Sequence, residues 1–194
     1  MVIKIYDNKI LSPVKCGTRH LDKIWLNKRV EYTHNDYLRF PKVKYIIVRS
    51  PLEHLITALH TETVGYINEF GKVIDFYHQL NDFISPIGAT HWSTQFYKYL
   101  YYYRNRYGSD VEVVELSNLT TLLENLGYDL EYNSEEYNFK KYEHWWEKNE
   151  LFDILKETYP QEIKWLLEKV EEQNVYYNKL LNNETDNNLI GNLI

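Results

Sequence analysis

The stretch Ile10-Leu11-Ser12-Pro13-Val14-Lys15-Cys16-Gly17-Thr18-Arg19-His20-Leu21 decides the fold. Residues 9–14 read as a short buried strand. A tight turn follows, and Thr18 opens a helix running to Lys28 with Leu21, Ile24 and Trp25 on one face. Working outward, Val43 to Val48 is a second continuous apolar run, the pattern of a strand covered on both faces. It leads into Arg49-Ser50-Pro51-Leu52-Glu53, a capping box with proline at the first helical position. Leu52, Leu55, Ile56 and Leu59 supply that helix's expected buried stripe. Both blocks therefore read as strand, turn and helix N-terminus, with a cation at the turn: Lys15 in the first, Arg49 in the second. A helix N-terminus offers free N–H groups and a positive dipole end, so each turn suits an anion. Two such turns in one domain suggest a nucleotide carrying phosphate at two separate ends.

The rest of the chain alternates in the same way. Glu31 to Arg39 is polar and carries His34. Phe70 to Phe83 reads as a helix. His91 to Arg106 reads as another, with Phe96, Tyr99, Leu100 and Tyr103 at core spacing. Val111 to Leu116 reads as a third strand, followed by a helix ending at Gly127. Residues 149–158 and 160–182 read as two helices, the second opened by Pro160, and 183–194 as a frayed tail. Asn133 to Glu147 has no readable pattern. The expectation is one α/β domain over 1–194, with a central, mainly parallel sheet flanked by helices. In such sheets ligands sit at the C-terminal strand ends, where both turns fall.

Composition bounds the function. At 194 residues the chain can bury a real core, and 44% hydrophobic with 16% aromatic content argues against disorder. The net charge of −6 opposes nonspecific nucleic-acid binding. The single cysteine, Cys16, cannot form an internal disulfide. No apolar run reaches membrane-spanning length, and Met1 to Asp7 lacks the apolar core of a leader peptide. A cytoplasmic location, no membrane anchor and no nucleic-acid partner are expected. No His/Cys cluster has metal-ligand spacing, so no metal is expected.

The two turns carry the chemistry. Lys15-Cys16-Gly17-Thr18 is not a Walker A loop, which places lysine after the last glycine. In order and spacing, however, the two blocks resemble the nucleotide-binding elements of the sulfotransferases. That family uses 3′-phosphoadenosine 5′-phosphosulfate (PAPS) as donor and releases adenosine 3′,5′-bisphosphate (PAP). Val14 to Leu21 is similar to the family's PKxGTT/S element, with Val14 in place of proline and Arg19 in place of a hydroxyl residue. Arg49 to Thr57 resembles RxPxxRxxS, with His54 in place of the second arginine and Thr57 in place of serine. Tyr32-Thr33-His34 resembles the segment carrying the catalytic base in cytosolic members. His91-Trp92-Ser93-Thr94-Gln95 resembles the HWxPQ segment of carbohydrate sulfotransferases, with Thr94 in place of proline.

The resemblance implies a P-loop-like sulfotransferase fold and a sulfuryl transfer from PAPS to an acceptor hydroxyl, expected on a carbohydrate. It implies that Lys15, Cys16, Gly17, Thr18, Arg19 and His20 surround the 5′-phosphosulfate, while Arg49 and Thr57 hold the 3′-phosphate. Lys15 would also stabilise the departing phosphate, and His34 would act as base, with Glu62, His60 and His91 as rivals. Two other functions stay open: a non-catalytic member of the same fold that binds a nucleotide or glycan, and a P-loop-type kinase.

Overall fold

The computed structural model describes residues 2–70, 83, 92–128 and 147–185. Five strands form one sheet: β1 (Val2–Tyr6), β2 (Ile10–Pro13), β3 (Arg29–Thr33), β4 (Tyr45–Val48) and β5 (Glu112–Glu115), in the spatial order β3-β1-β2-β4-β5. The helices are α1 (Thr18–Trp25), α2 (Pro51–Phe70), α3 (Phe96–Tyr107), α4 (Leu119–Asn125), α5 (Lys148–Thr158) and α6 (Pro160–Leu181).

The sheet is mixed rather than mainly parallel. β2, β4 and β5 run parallel, but β1 is antiparallel to both β2 and β3. The cause is a tight hairpin whose connection is Asp7-Asn8-Lys9, with Tyr6 paired to Ile10. Asp7 and Asn8 both have positive φ, 49° and 52°, and the Lys9 N–H closes the turn on the Tyr6 carbonyl at 2.8 Å. Both central residues having φ > 0 is the geometry that matches strand twist in a tight hairpin, and Asp and Asn tolerate it best after glycine. β3 begins just after the expected helix end at Lys28 and runs into the stretch read only as polar, Glu31 to Arg39. It is an edge strand whose residues are largely solvent-facing, so it carries no hydrophobic alternation to betray it.

Strand alternation sends side chains to two faces. Tyr45 and Ile47 of β4 join Tyr6, Ile10, Leu21, Trp25, Val114, Leu119 and Leu123 beneath α1 and α4. Ile46 and Val48 face the opposite way, joining Ile3, Ile5, Leu11, Tyr97, Tyr101 and Tyr177 beneath α3 and α6. All four β4 residues are buried, as the continuous apolar run requires. Beyond α6, α2 and α5 pack through Leu55, Leu59, Leu151, Phe152, Leu155, Ile163 and Leu166. Leu52 departs from its expected stripe: it is 40% exposed on the outer side of the first turn of α2. Tyr99 is only half-buried, while its neighbours Tyr97 and Tyr101 are fully enclosed where α3 meets α6. The expected helix over 70–83 and the unread segment 133–147 lie almost wholly outside the described residues. No helix among the described residues is long and apolar enough to cross a membrane.

Asp22 anchors α1 to the sheet. Its carboxylate accepts from Lys4 Nζ at 2.9 Å, Arg29 Nη1 at 2.7 Å and the Tyr6 hydroxyl at 2.9 Å. Burial pulls its pKa upward, but Lys4, Arg29 and Tyr6 together outweigh that and hold it below the ordinary carboxylate value. The contribution is therefore complete above about pH 4 and is lost as pH falls through the lowered native value. Asp22→Asn should cost about 1–3 kcal/mol at pH 7, since Lys4 and Arg29 are left with Glu31 alone as their anionic partner. Urea midpoints from pH 7 down to pH 2.5 check this. The gap between wild type and variant should close at the acid end, and a constant gap would refute the assignment.

Candidate functional site

The parallel strands bring both cationic turns to one edge of the sheet. β2 ends at Pro13 and its neighbour β4 ends at Val48, so the 14–17 turn and the Arg49–Ser50 turn are adjacent. They are also bonded to each other. Arg49 Nη1 donates to the Lys15 carbonyl at 3.2 Å. His54 Nε2 lies 3.0 Å from the Val14 carbonyl. A carbonyl only accepts, so Nε2 is the protonated nitrogen of this contact. His54 is fully buried, edge-on to Phe96 and Tyr97. It clamps α2 to the first turn.

The first turn is built around an unusual backbone. The Cys16 N–H bonds the Pro13 carbonyl at 3.0 Å, closing a four-residue turn whose third residue, Lys15, has φ +74°. Turns of this sign normally take glycine there, and an L-residue with a side chain is strained by about 1–3 kcal/mol. Gly17 follows at φ +84°. A Cβ on Gly17 would meet Leu119 Cδ2 at 2.4 Å and Leu116 Cδ1 at 2.9 Å. The close approach that requires glycine is thus made by the segment after β5, not left open for a ligand. Cys16 turns inward: its side chain is fully buried, and burial pushes the thiol up to about 12 despite Arg49 nearby. Its carbonyl accepts from Ser12 Oγ at 2.5 Å, so both of its backbone groups are already engaged. What remains for an anion is the start of α1. Thr18, Arg19 and His20 form its first turn, where N–H groups have no partner within the helix. Thr18 is nearly buried and its carbonyl accepts from the Tyr6 hydroxyl at 3.2 Å.

Arg49 opens on a cleft of about 320 Å³ lined by Glu53, Ile56, Thr57, Glu147, Lys148 and Asn149. Arg49 and Thr57, paired from the sequence, are therefore neighbours in space. The capping box is half made: Ser50 Oγ accepts from the Glu53 N–H at 3.3 Å, but the Glu53 carboxylate turns to Arg49 Nε, also at 3.3 Å. With Arg49 and Lys148 against Glu53 and Glu147, the cleft's side chains carry no net formal charge.

Tyr97 is the residue sequence reasoning missed. Its buried hydroxyl donates to the Arg49 carbonyl, and its ring meets Tyr177 edge-on at 5.5 Å. Tyr177 in turn donates to Glu115 at the end of β5, at 2.5 Å. Burial and the Glu115 carboxylate both raise the Tyr177 pKa, so the phenol stays protonated. The only sequence signal was tyrosine at core spacing, and that spacing was assigned to Tyr99.

The candidate bases separate. His34 starts the short 3-10 segment after β3, whose carboxyl end lies at the same sheet edge as Pro13. Thr33 pairs with Val2 and Pro13 with Ile3, so β1 alone intervenes, about 10 Å across two strand spacings. Glu62 lies eleven residues beyond Pro51, about 16 Å along α2, and does not line the Arg49 cleft. His91 lies outside the described residues. No group of three His, Cys, Asp or Glu among the described residues could hold a metal ion. Comparison with protein-family models, with curated proteins and with solved structures finds no match to this chain.

Proposed function

We propose that the chain is a sulfotransferase with the P-loop-like fold of that family, moving a sulfuryl group from PAPS to an acceptor hydroxyl. One observation carries the reading: Arg49 donates to the carbonyl of Lys15, and Lys15 itself sits in a conformation that costs energy. Strain of this kind persists where surrounding structure enforces it, and it concentrates at functional sites. The two cations that the sequence assigns to two ends of one nucleotide are held as a unit.

In the reaction the acceptor oxygen forms a bond to sulfur as the bond from sulfur to the bridging phosphate oxygen breaks. The electron pair leaves on the phosphate of PAP. Lys15 and the first N–H groups of α1 stabilise that growing charge. The acceptor proton passes to a base, and His34 is the candidate at the shared sheet edge. Arg49 and Thr57 take the 3′-phosphate in their cleft.

One observation favours the non-catalytic alternative. Glu53 already occupies Arg49, so a 3′-phosphate must displace a carboxylate first. Calorimetric titration with PAP separates the readings. Wild type should bind, and Arg49→Ala should weaken binding about 10- to 100-fold, the equivalent of one or two charge-assisted hydrogen bonds. A wild-type protein that does not bind PAP would overturn the sulfotransferase reading, and binding without transfer to any acceptor would favour the non-catalytic one.

A further inference from the structure

The carbonyl of Arg49 falls between two elements. The ladder of β4 ends at Val48, paired with Glu115, and the first bond of α2 runs from the His54 N–H to the Ser50 carbonyl at 2.9 Å. Neither element supplies the Arg49 carbonyl with a donor, and a backbone carbonyl shielded from water needs one. The Tyr97 hydroxyl is that donor. The side chain of the same arginine reaches the Lys15 carbonyl at 3.2 Å and the Glu53 carboxylate at 3.3 Å. The backbone of Arg49 is thus set from α3, and its guanidinium spans the first turn from that anchor.

Tyr97 is itself held in place. It is fully buried, and its ring stands edge-on to Phe96 at 4.9 Å, to Tyr177 at 5.5 Å and to His54 at 6.2 Å. Gln173 of α6 accepts from its backbone N–H at 3.5 Å. Tyr177 is fixed in turn by Glu115, the residue paired with Val48. Burial raises the Tyr97 pKa well above the usual phenol value, so toward a carbonyl the hydroxyl stays a donor. His54, one of its ring neighbours, reaches the Val14 carbonyl. One tyrosine therefore lies against both residues, Arg49 and His54, that tie the start of α2 to the first turn.

We infer that Tyr97 is a positioning residue for Arg49: its hydroxyl fixes the arginine backbone, so that the guanidinium bridges the first turn and borders the Thr57 cleft in one arrangement. Tyr97 acts through Arg49 and touches no ligand. That the guanidinium then grips a 3′-phosphate rests on the sulfotransferase reading; the fixing of Arg49 does not.

The test compares Tyr97→Phe with Tyr103→Phe in the full chain. Each removes one hydroxyl and keeps the ring. Tyr103 is also buried on α3, but it bonds the Pro41 carbonyl at 2.8 Å and the Val43 N–H at 3.0 Å, at the opposite end of β4. Both variants should lower the melting temperature by about 2–5 °C, the loss of a buried hydrogen bond. Only Tyr97→Phe should release Arg49. Solvent exchange of the Arg49 Nε proton, measured by NMR without ligand, should then speed about tenfold. PAP should bind Tyr97→Phe about tenfold more weakly, with the 3′-phosphate resonance displaced less than in wild type and the 5′ resonance displaced as before. Exchange unchanged by Tyr97→Phe, or raised equally by Tyr103→Phe, would overturn the positioning role. Faster exchange in Tyr97→Phe, when the wild type binds no PAP, would keep the role and remove the sulfotransferase reading. PAP binding by the wild type with exchange unmoved by Tyr97→Phe would do the reverse.

Discussion

Replacing Lys15 with glycine should abolish sulfuryl transfer while leaving the protein about 1 kcal/mol more stable than the Lys15→Ala variant. Both substitutions remove the ammonium, so both should lower transfer by at least about 100-fold, the loss expected when a preorganised charge at the leaving phosphate disappears. They differ only in backbone. Alanine keeps the strain of φ +74°, whereas glycine adopts that conformation freely. Thermal unfolding should place the glycine variant about 2–4 °C above the alanine variant. The comparison separates function from fold, because a lysine retained for stability would make neither prediction. Equal stability of the two variants would remove the strain argument. Undiminished transfer in either would remove Lys15 from the chemistry.

Gly17→Ala should be the most destabilising single-methyl change in the site, by about 2–4 kcal/mol. Two effects add. The residue sits at φ +84°, where a Cβ costs about 1–2 kcal/mol. The new methyl would also lie 2.4 Å from Leu119 Cδ2 and 2.9 Å from Leu116 Cδ1, and Leu119 is buried, so relief requires these side chains to repack within the core. Leu119→Ala in the same background should recover part of the loss, because it vacates the clashing volume. Chemical denaturation of the two single variants and the double variant measures the coupling. Strict additivity would show that the leucine does not close over the turn.

The contrast between these two neighbours shows what was legible in the sequence. β2 and β4 announced themselves by continuously buried runs, because strands covered on both faces leave no room for polar alternation, while β5, only partly covered, was marked by Val113-Val114 ahead of a helix. The last two helices were legible from Pro160 and their periodicity, within a residue of α5 and α6. β3 was not legible, since Arg29 to Thr33 faces solvent and takes its order from pairing with β1. The pair Asp7-Asn8 was a hairpin signal that the mainly parallel expectation passed over. Lys15, Arg49 and Thr57 were paired by pattern, and the contact of Arg49 with the Lys15 carbonyl follows from adjacent parallel strands. Tyr97, Tyr177 and Gln173 could not be found that way. Their roles depend on α3 and α6 crossing face to face, and no spacing within one segment encodes a contact made 76 residues away. The role of Gly17 was legible only in kind: glycine was required, but by Leu119 rather than by a phosphate.

On the sulfotransferase reading, two adjacent turns hold the two phosphates of one nucleotide. Phosphorus NMR of PAP tests it most directly, because the 5′- and 3′-phosphates give separate resonances. Added wild-type protein should shift both. Lys15→Ala should reduce the shift of the 5′ resonance alone, and Arg49→Ala that of the 3′ resonance alone. Resonances that do not move with the wild-type protein, or that respond identically to the two substitutions, would contradict it.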